Sequence, residues 1–221
     1  MALRVRADFD SPVSVAARDH QWVASPEPGV ERVMLDRLGE EVAVATSIVR
    51  YAAGSRFAAH RHDRGEEFLV LEGVFADEHA DYPAGTYVRN PPGTAHTPRS
   101  DVGCTIFVKL RQFAPDDLEP RVIDIGALDG RVADGTTKAH LLHRHGLEEV
   151  WILDGGIGAT YEFAPAPPLR ELLVLSGDVV VNGRPMTRLD WMRLPANQSM
   201  DLSFTTAARV FVKTRVTATA A

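Results

Sequence analysis

The sequence repeats itself at a spacing of 104 residues. Glu67-Phe-Leu-Val-Leu-Glu-Gly73 lies over Glu171-Leu-Leu-Val-Leu-Ser-Gly177, and Phe107-Val-Lys109 lies over Phe211-Val-Lys213. No gap is needed between these anchors: Gly54 falls on Gly158, Tyr87 on Trp191, Arg89 on Arg193 and Pro91 on Pro195. An internal repeat has to be settled before any fold is assigned, and this one predicts two copies of a single structural unit. Within the first copy the chain breaks into short runs rich in Val, Ile, Thr and aromatics, separated by Gly, Pro, Asn and Asp. They are Val30–Leu38, Glu41–Tyr51, Arg56–His62, Glu66–Glu72, Val74–Asp77, Thr86–Asn90, His96–Arg99 and Cys104–Gln112. Many short strands without helical periodicity predict an all-β sandwich or jelly roll. Residues 1–30 read as a lead-in that Trp22 packs onto the first unit. The polar, proline-bearing stretch Ala114 to Pro120 places a linker at 113–121, between domains at 1–112 and 122–221.

The first copy also carries a chemical constellation. His60 and His62 are two apart, so on one strand both imidazoles project from the same face. Glu66 opens the next apolar run, where a tight turn can set its carboxylate beside the pair. His96 follows Pro91, Pro92 and Gly93, a turn signal that can return a fourth ligand from a distant strand. Three imidazoles and a carboxylate suit zinc, iron, manganese or nickel. In the repeat register the second copy has lost all four: His60 falls on Ala164, His62 on Ala166, Glu66 on Arg170 and His96 on Met200. Arginine would repel a divalent cation, so one metal per chain is expected. His143, His145 and Glu149 reproduce the His-x-His-x3-Glu spacing, but no histidine follows His145 and the register puts them on an earlier hairpin.

The pattern Gly-x5-His-x-His-x3-Glu-x6-Gly from Gly54 to Gly73, with Gly-x5-Pro-x-Gly-x2-His from Gly85 to His96, resembles the two signature motifs of the cupin superfamily. Ser100 stands where the second motif often has Asn. The stretches flanking the motifs, WVASPEPGVERVMLDRLGEEVAVATSIVRY, LVLEGVFADE and GCTIFVKL, are similar to the cupin domain of ChrR-type anti-sigma factors and their stand-alone relatives. The resemblance covers the first half well and the second half weakly. It implies two tandem cupin barrels, the second degenerate. It also implies zinc held by His60, His62, Glu66 and His96, with Fe(II), Mn(II) or Ni(II) as alternatives. The Cys-x-x-Cys pair of the sigma-binding zinc domain has no counterpart here, since Cys104 is the one cysteine.

Around this centre Arg56, which shares strand parity with His60 and His62, and Tyr87 are the candidates for contacting a ligand in the barrel. Glu67 has the opposite parity to Glu66 and is expected to face away. Glu72 and Lys109 read as solvated or paired strand-end charges, and Cys104 as a buried thiol or a redox reporter. His20 and His79 read as surface loop residues, and His140 as a strand residue.

The net charge of −6 gives no broad electrostatic footprint for nucleic acid. No apolar run reaches membrane-spanning length, the N-terminus is too charged for a signal peptide, and a lone cysteine suits a reducing cytoplasm. Three functions follow. One is a regulatory or sensory metal cupin with a small-molecule ligand and a protein partner in a sigma-factor pathway. The second is a mononuclear non-haem dioxygenase acting on a small diketone or hydroxyketone. The third is a ligand-binding bicupin with a passive metal. A homodimer is a further expectation.

Overall fold

The structure, a computed structural model, describes residues 3–40 and 42–215. The chain divides into two compact units, Met1–Ala7 with Gln21–Ala127 and Asp8–His20 with Leu128–Ala221. Apart from a 3-10 turn at Ala17–Asp19, every regular element among the described residues is a β-strand. Among the described residues no helix is long and apolar enough to cross a membrane.

The units are divided differently from the expected boundary at 113–121. Arg121–Asp124 pairs antiparallel with Thr86–Asn90, with Ile123 opposite Tyr87, and so stays with the first unit. Val13–Val15 pairs with Trp191–Leu194, with Val15 opposite Trp191, which draws Asp8–His20 into the second unit. Both cover a strand that would otherwise leave a row of N–H and C=O groups unpaired. The covering segments are short and proline-flanked, so they read as linkers. Trp22 lies under the guanidinium of Arg50, 4.2 Å from its ring centroid.

In the first unit Val30–Leu38, Val44–Tyr51, Cys104–Leu110, Glu66–Ala76 and Thr86–Asn90 are successive neighbours in the main sheet. Glu41, where the second strand was expected to begin, lies outside the described residues. Glu66–Ala76 runs unbroken through Gly73, so the expected break there is absent. The second unit repeats the arrangement with Thr137–His145, Glu148–Gly155, Ala208–Arg215, Leu169–Ser176 and Trp191–Leu194.

The repeat holds at the level of pairing. Leu69 is opposite Phe107 and Leu173 opposite Phe211, while Glu66 pairs with Leu110 and Arg170 with Thr214. Even the irregularity recurs, between Thr105 and Ile106 in one unit and beside Val174 and Ser176 in the other. Gly73 and Gly177 both have φ of 71°. A Cβ on Gly73 would lie 2.0 Å from the Gly103 carbonyl oxygen, and one on Gly177 2.4 Å from that of Ala207. Only glycine tolerates both that φ and that approach.

Alternation along Glu66–Ala76 sends Phe68 and Val70 into a core with Phe75, Tyr82, Val88 and Ile106. Each such side chain contributes roughly 1.5–3 kcal/mol by leaving water. The second unit buries Leu172, Val174, Met192, Leu202, Phe204 and Val210 in the same way. The opposite face of the first strand carries buried charge: the Arg89 guanidinium bonds Glu67 at 2.6 Å and also Asp117. Lys109 is not a solvated strand-end charge. It is 1% exposed and donates to Thr46 Oγ1 at 3.1 Å, because its strand is central in the sheet. Glu72 is exposed.

Candidate metal centre

A two-residue ladder sets the histidines. His60–Arg61 pairs antiparallel with Ala95–His96, which puts His60 directly opposite His96. Four residues earlier Arg56 pairs with Arg99. Had that register continued, His60 would face Ala95. One extra residue in the irregular stretch between Arg56 and His60 shifts the pairing, and a one-residue shift turns every following side chain to the other face.

This corrects the reading of Arg56, whose parity with His60 is broken by that shift. Its side chain is exposed and its Nη2 lies 2.9 Å from Asp101 Oδ1. The His62 backbone closes on the Pro-Pro-Gly turn, its N–H donating to Thr94 O at 2.8 Å and its carbonyl accepting from Gly93 N–H at 2.7 Å. Glu66 starts its strand opposite Asn90, just after Gly65, where a Cβ would collide with the Phe113 ring.

These elements bring His60, His62, Glu66 and His96 together, each offering a ligand atom within 4.8 Å of the others. Glu66 Oε2 is 3.6 Å from His62 Nε2 and 3.4 Å from His96 Nε2. The three imidazole centroids are separated by 5.0, 5.0 and 4.7 Å. His60 Nδ1 lies 3.1 Å from the Ala58 carbonyl and His96 Nδ1 3.2 Å from Asp77 Oδ2. Each of these Nδ1 atoms must donate to such an acceptor, which leaves the lone pair on Nε2. Burial, reinforced by His96 and His60, pushes His62 down to about 3. Burial likewise lowers His96. Both rings are therefore neutral and able to ligate. Burial pushes the Glu66 carboxyl up to about 7, against the hydrogen bond from Asn90. The Nε2 atoms of His62 and His96 are buried with no hydrogen-bond partner. Buried polar nitrogens are rarely left so, and three lone pairs with one carboxylate fit a divalent cation.

His60 is exposed, whereas His62, Glu66 and His96 are buried. The cluster therefore opens on one side, into a cavity of about 460 Å³ lined by His60, His62 and Glu66. Val30, Val49, Phe57, Ile106 and Val108 form its apolar wall.

Tyr87 does not reach this cavity. It is 1% exposed and its hydroxyl donates to Glu67 Oε2 at 3.0 Å, on the face of the sheet that carries the buried charges. Strand parity explains both, since Glu67 and Tyr87 point away from Glu66. Cys104 is buried, and burial raises its thiol, so it is a packing residue. Ser100 is fully buried and donates to Val74 O at 2.6 Å. His143, His145 and Glu149 fall on the two arms of a hairpin, with Arg144 paired to Glu149 at 2.8 Å, and form no common ligand group among the described residues.

Asp77 escaped the sequence reading. Its Oδ2 holds His96, while Oδ1 accepts from His79 N–H at 2.8 Å and Ala80 N–H at 3.1 Å. The available signal was a carboxylate at the end of an apolar strand. Asp77→Asn should leave the fold intact and weaken metal affinity about 10- to 100-fold, the usual consequence of losing such an orienting carboxylate. Competition against a chelator of known affinity measures it.

Residues 10–114 match the family described as the ChrR Cupin-like domain. Over this stretch, a little under half of the chain, the sequence is similar to a ChrR-type cupin domain. No curated protein sequence matches the chain. Solved structures share its fold over nearly all its length. Protein Ylba from E. coli has a TM-score of 0.72 at 13% identity, covering 97% of this chain and 95% of that one. The bacterial pirin YhhW from Escherichia coli, in complex with nickel(II), has 0.65 at 15%, covering 93% and 99%. A salicylate 1,2-dioxygenase from Pseudaminobacter salicylatoxidans has 0.60 at 12%, covering 90% and 76%. The chain is thus built of tandem cupin barrels.

The second cupin barrel shows what replaces the ligands. Arg170, in the place of Glu66, is buried and sends its guanidinium to the carbonyls of Ala164 at 2.6 Å, Gln198 at 3.1 Å and Phe163 at 3.4 Å. The protein's own cation sits among these acceptors. The register also departs from the gapless repeat here. Phe163, not Ala164, is opposite Met200, because this barrel lacks the extra residue that precedes His60.

Proposed function

We propose that the first cupin barrel binds one divalent metal through His60, His62, Glu66 and His96 and offers it to a small oxygen-donor ligand, as a regulatory or sensory site. The pair of buried, unpartnered Nε2 atoms facing Glu66 supports this reading above any other observation. Zinc suits the donor set, and Fe(II), Mn(II) and Ni(II) suit it too. When bound, such an ion supplies Lewis-acid polarisation of an oxygen donor and, as iron, redox chemistry. The chain's own residues do the rest: Asp77 and the Ala58 carbonyl fix two imidazoles, and the apolar wall thins the water around the site. The ChrR match favours a sensory role, with a sigma-factor-pathway partner supplied by another protein.

A second reading, a metal-dependent dioxygenase acting on a small diketone or hydroxyketone, is favoured by the open side of the cluster and its cavity. A purely structural ion would be enclosed by its ligands.

Metal analysis of protein purified without added salts should give about one ion per chain. His62→Ala and His96→Ala should bring it to background, and His145→Ala should leave it unchanged. Two ions per chain, or equal losses in all three variants, would count against the assignment. Oxygen uptake by iron-loaded protein given diketones or hydroxyketones would favour the enzyme; no uptake across the panel would favour the sensor.

A further inference from the structure

Tyr51 lies on the cavity wall and is 7% exposed, yet its hydroxyl enters no hydrogen bond among the described residues. Its ring is tilted against Phe57, centroids 5.4 Å apart, and meets Phe75 edge-on at 5.7 Å. Phe57 is 6.3 Å from the His60 ring and Phe75 is 5.9 Å from the His96 ring. The phenol is thus held between the two aromatics that flank the histidines. It contributes a hydroxyl to the side of the cavity where Val30, Val49, Ile106 and Val108 supply no donor, while Arg32, Arg37, Arg61 and Arg111 also line the cavity. With no protein acceptor among the described residues taking its hydrogen, this cavity-lining hydroxyl is available to a ligand. A ligand oxygen that accepts from it is favoured over an apolar atom that would displace its water without replacing the bond.

The donor set determines the charge of what enters. Three neutral imidazoles and one carboxylate around a divalent ion leave one positive charge uncompensated. A monoanion cancels that charge where a neutral molecule does not. The cavity's four arginines, Arg32, Arg37, Arg61 and Arg111, against Glu27 and Asp63, favour the same sign, while Val30, Val49, Ile106 and Val108 form its apolar walls. The same walls favour an apolar body on that anion.

Resting on the reading of the cluster as a metal centre, we propose that Tyr51 orients a small, apolar-bodied monoanion at that centre by donating its hydroxyl hydrogen to a ligand oxygen. Tyr51 is then a binding and specificity residue of the cavity.

Stripped protein reloaded with cobalt(II) tests this through its visible bands, without any turnover. The probes are 4-methyl-2-oxopentanoate, its neutral methyl ester, and azide, an anion with no oxygen. The oxoacid should shift the bands and bind at least about tenfold more tightly than the ester. Tyr51→Phe should weaken the oxoacid about tenfold, the scale of one hydrogen bond, and leave the bands and azide binding unchanged. The proposal is overturned if Tyr51→Phe binds the oxoacid as wild type does, if azide weakens equally, or if the ester matches the acid. Cobalt bands that ignore the oxoacid in wild type would sink this inference and leave the metal reading standing. Absence of cobalt bands would sink both.

Discussion

Glu66→Gln should abolish metal retention and yet raise the melting temperature of the metal-stripped protein at pH 8. The Glu66 carboxyl is raised from 4.5 to about 7 by burial. An acid raised on folding is destabilising wherever the unfolded chain has lost the proton. The cost is absent below about pH 4.5, grows between there and about 7, and is complete above that. The size of the shift puts it at about 3 kcal/mol at pH 8. Glutamine keeps the shape and the link to Asn90 without the charge. His62 acts in the opposite direction at lower pH. Its folded value of about 3, against 6.5, removes stability only as the pH falls below 6.5, so a measurement at pH 8 isolates the carboxylate. Thermal melts of both proteins with and without chelator distinguish the cases. If Glu66→Gln were less stable than wild type after stripping, something other than an ion would be satisfying the carboxylate.

Arg170→Met should lower the stability of the second barrel by about 3 kcal/mol while leaving metal stoichiometry unchanged. The guanidinium serves the carbonyls of Phe163, Ala164 and Gln198, and methionine fills similar space with no donor. Breaking such a buried arrangement from one side leaves its acceptors stranded, which costs far more than the net worth of the bonds. Calorimetry with a metal assay on the same sample measures both. A neutral outcome in stability would mean that these carbonyls are solvated.

The repeat was legible because pairing register is written in residues that cannot be exchanged. Gly73 and Gly177, and the aligned Leu69–Phe107 and Leu173–Phe211 pairs, recur at one offset and keep their partners in the sheet. The ligand set was legible as a motif. What stayed hidden was a single inserted residue. Nothing in Phe57-Ala58-Ala59 announces a shift, because small and aromatic residues suit a strand as well as a break. Parity counted through it therefore misplaced Arg56, and the gapless alignment paired Ala164 with His60. Tyr87 went astray for a related reason, since a tyrosine on a strand shows neither which face it takes nor that Glu67 awaits its hydroxyl. Asp77 and Tyr51 depend on contacts across the barrel, which sequence spacing does not encode.

The strand at Val13–Val15 has a bearing on biosynthesis. It leaves the ribosome before the metal-ligand barrel, yet its hydrogen-bonding mate, Trp191–Leu194, is translated only after that barrel. The nascent chain must keep that segment idle while the metal-ligand barrel is made, and the second unit cannot finish its sheet until both strands are out. Removal of residues 8–20 would therefore damage not the unit that follows them directly but the one that begins at Leu128.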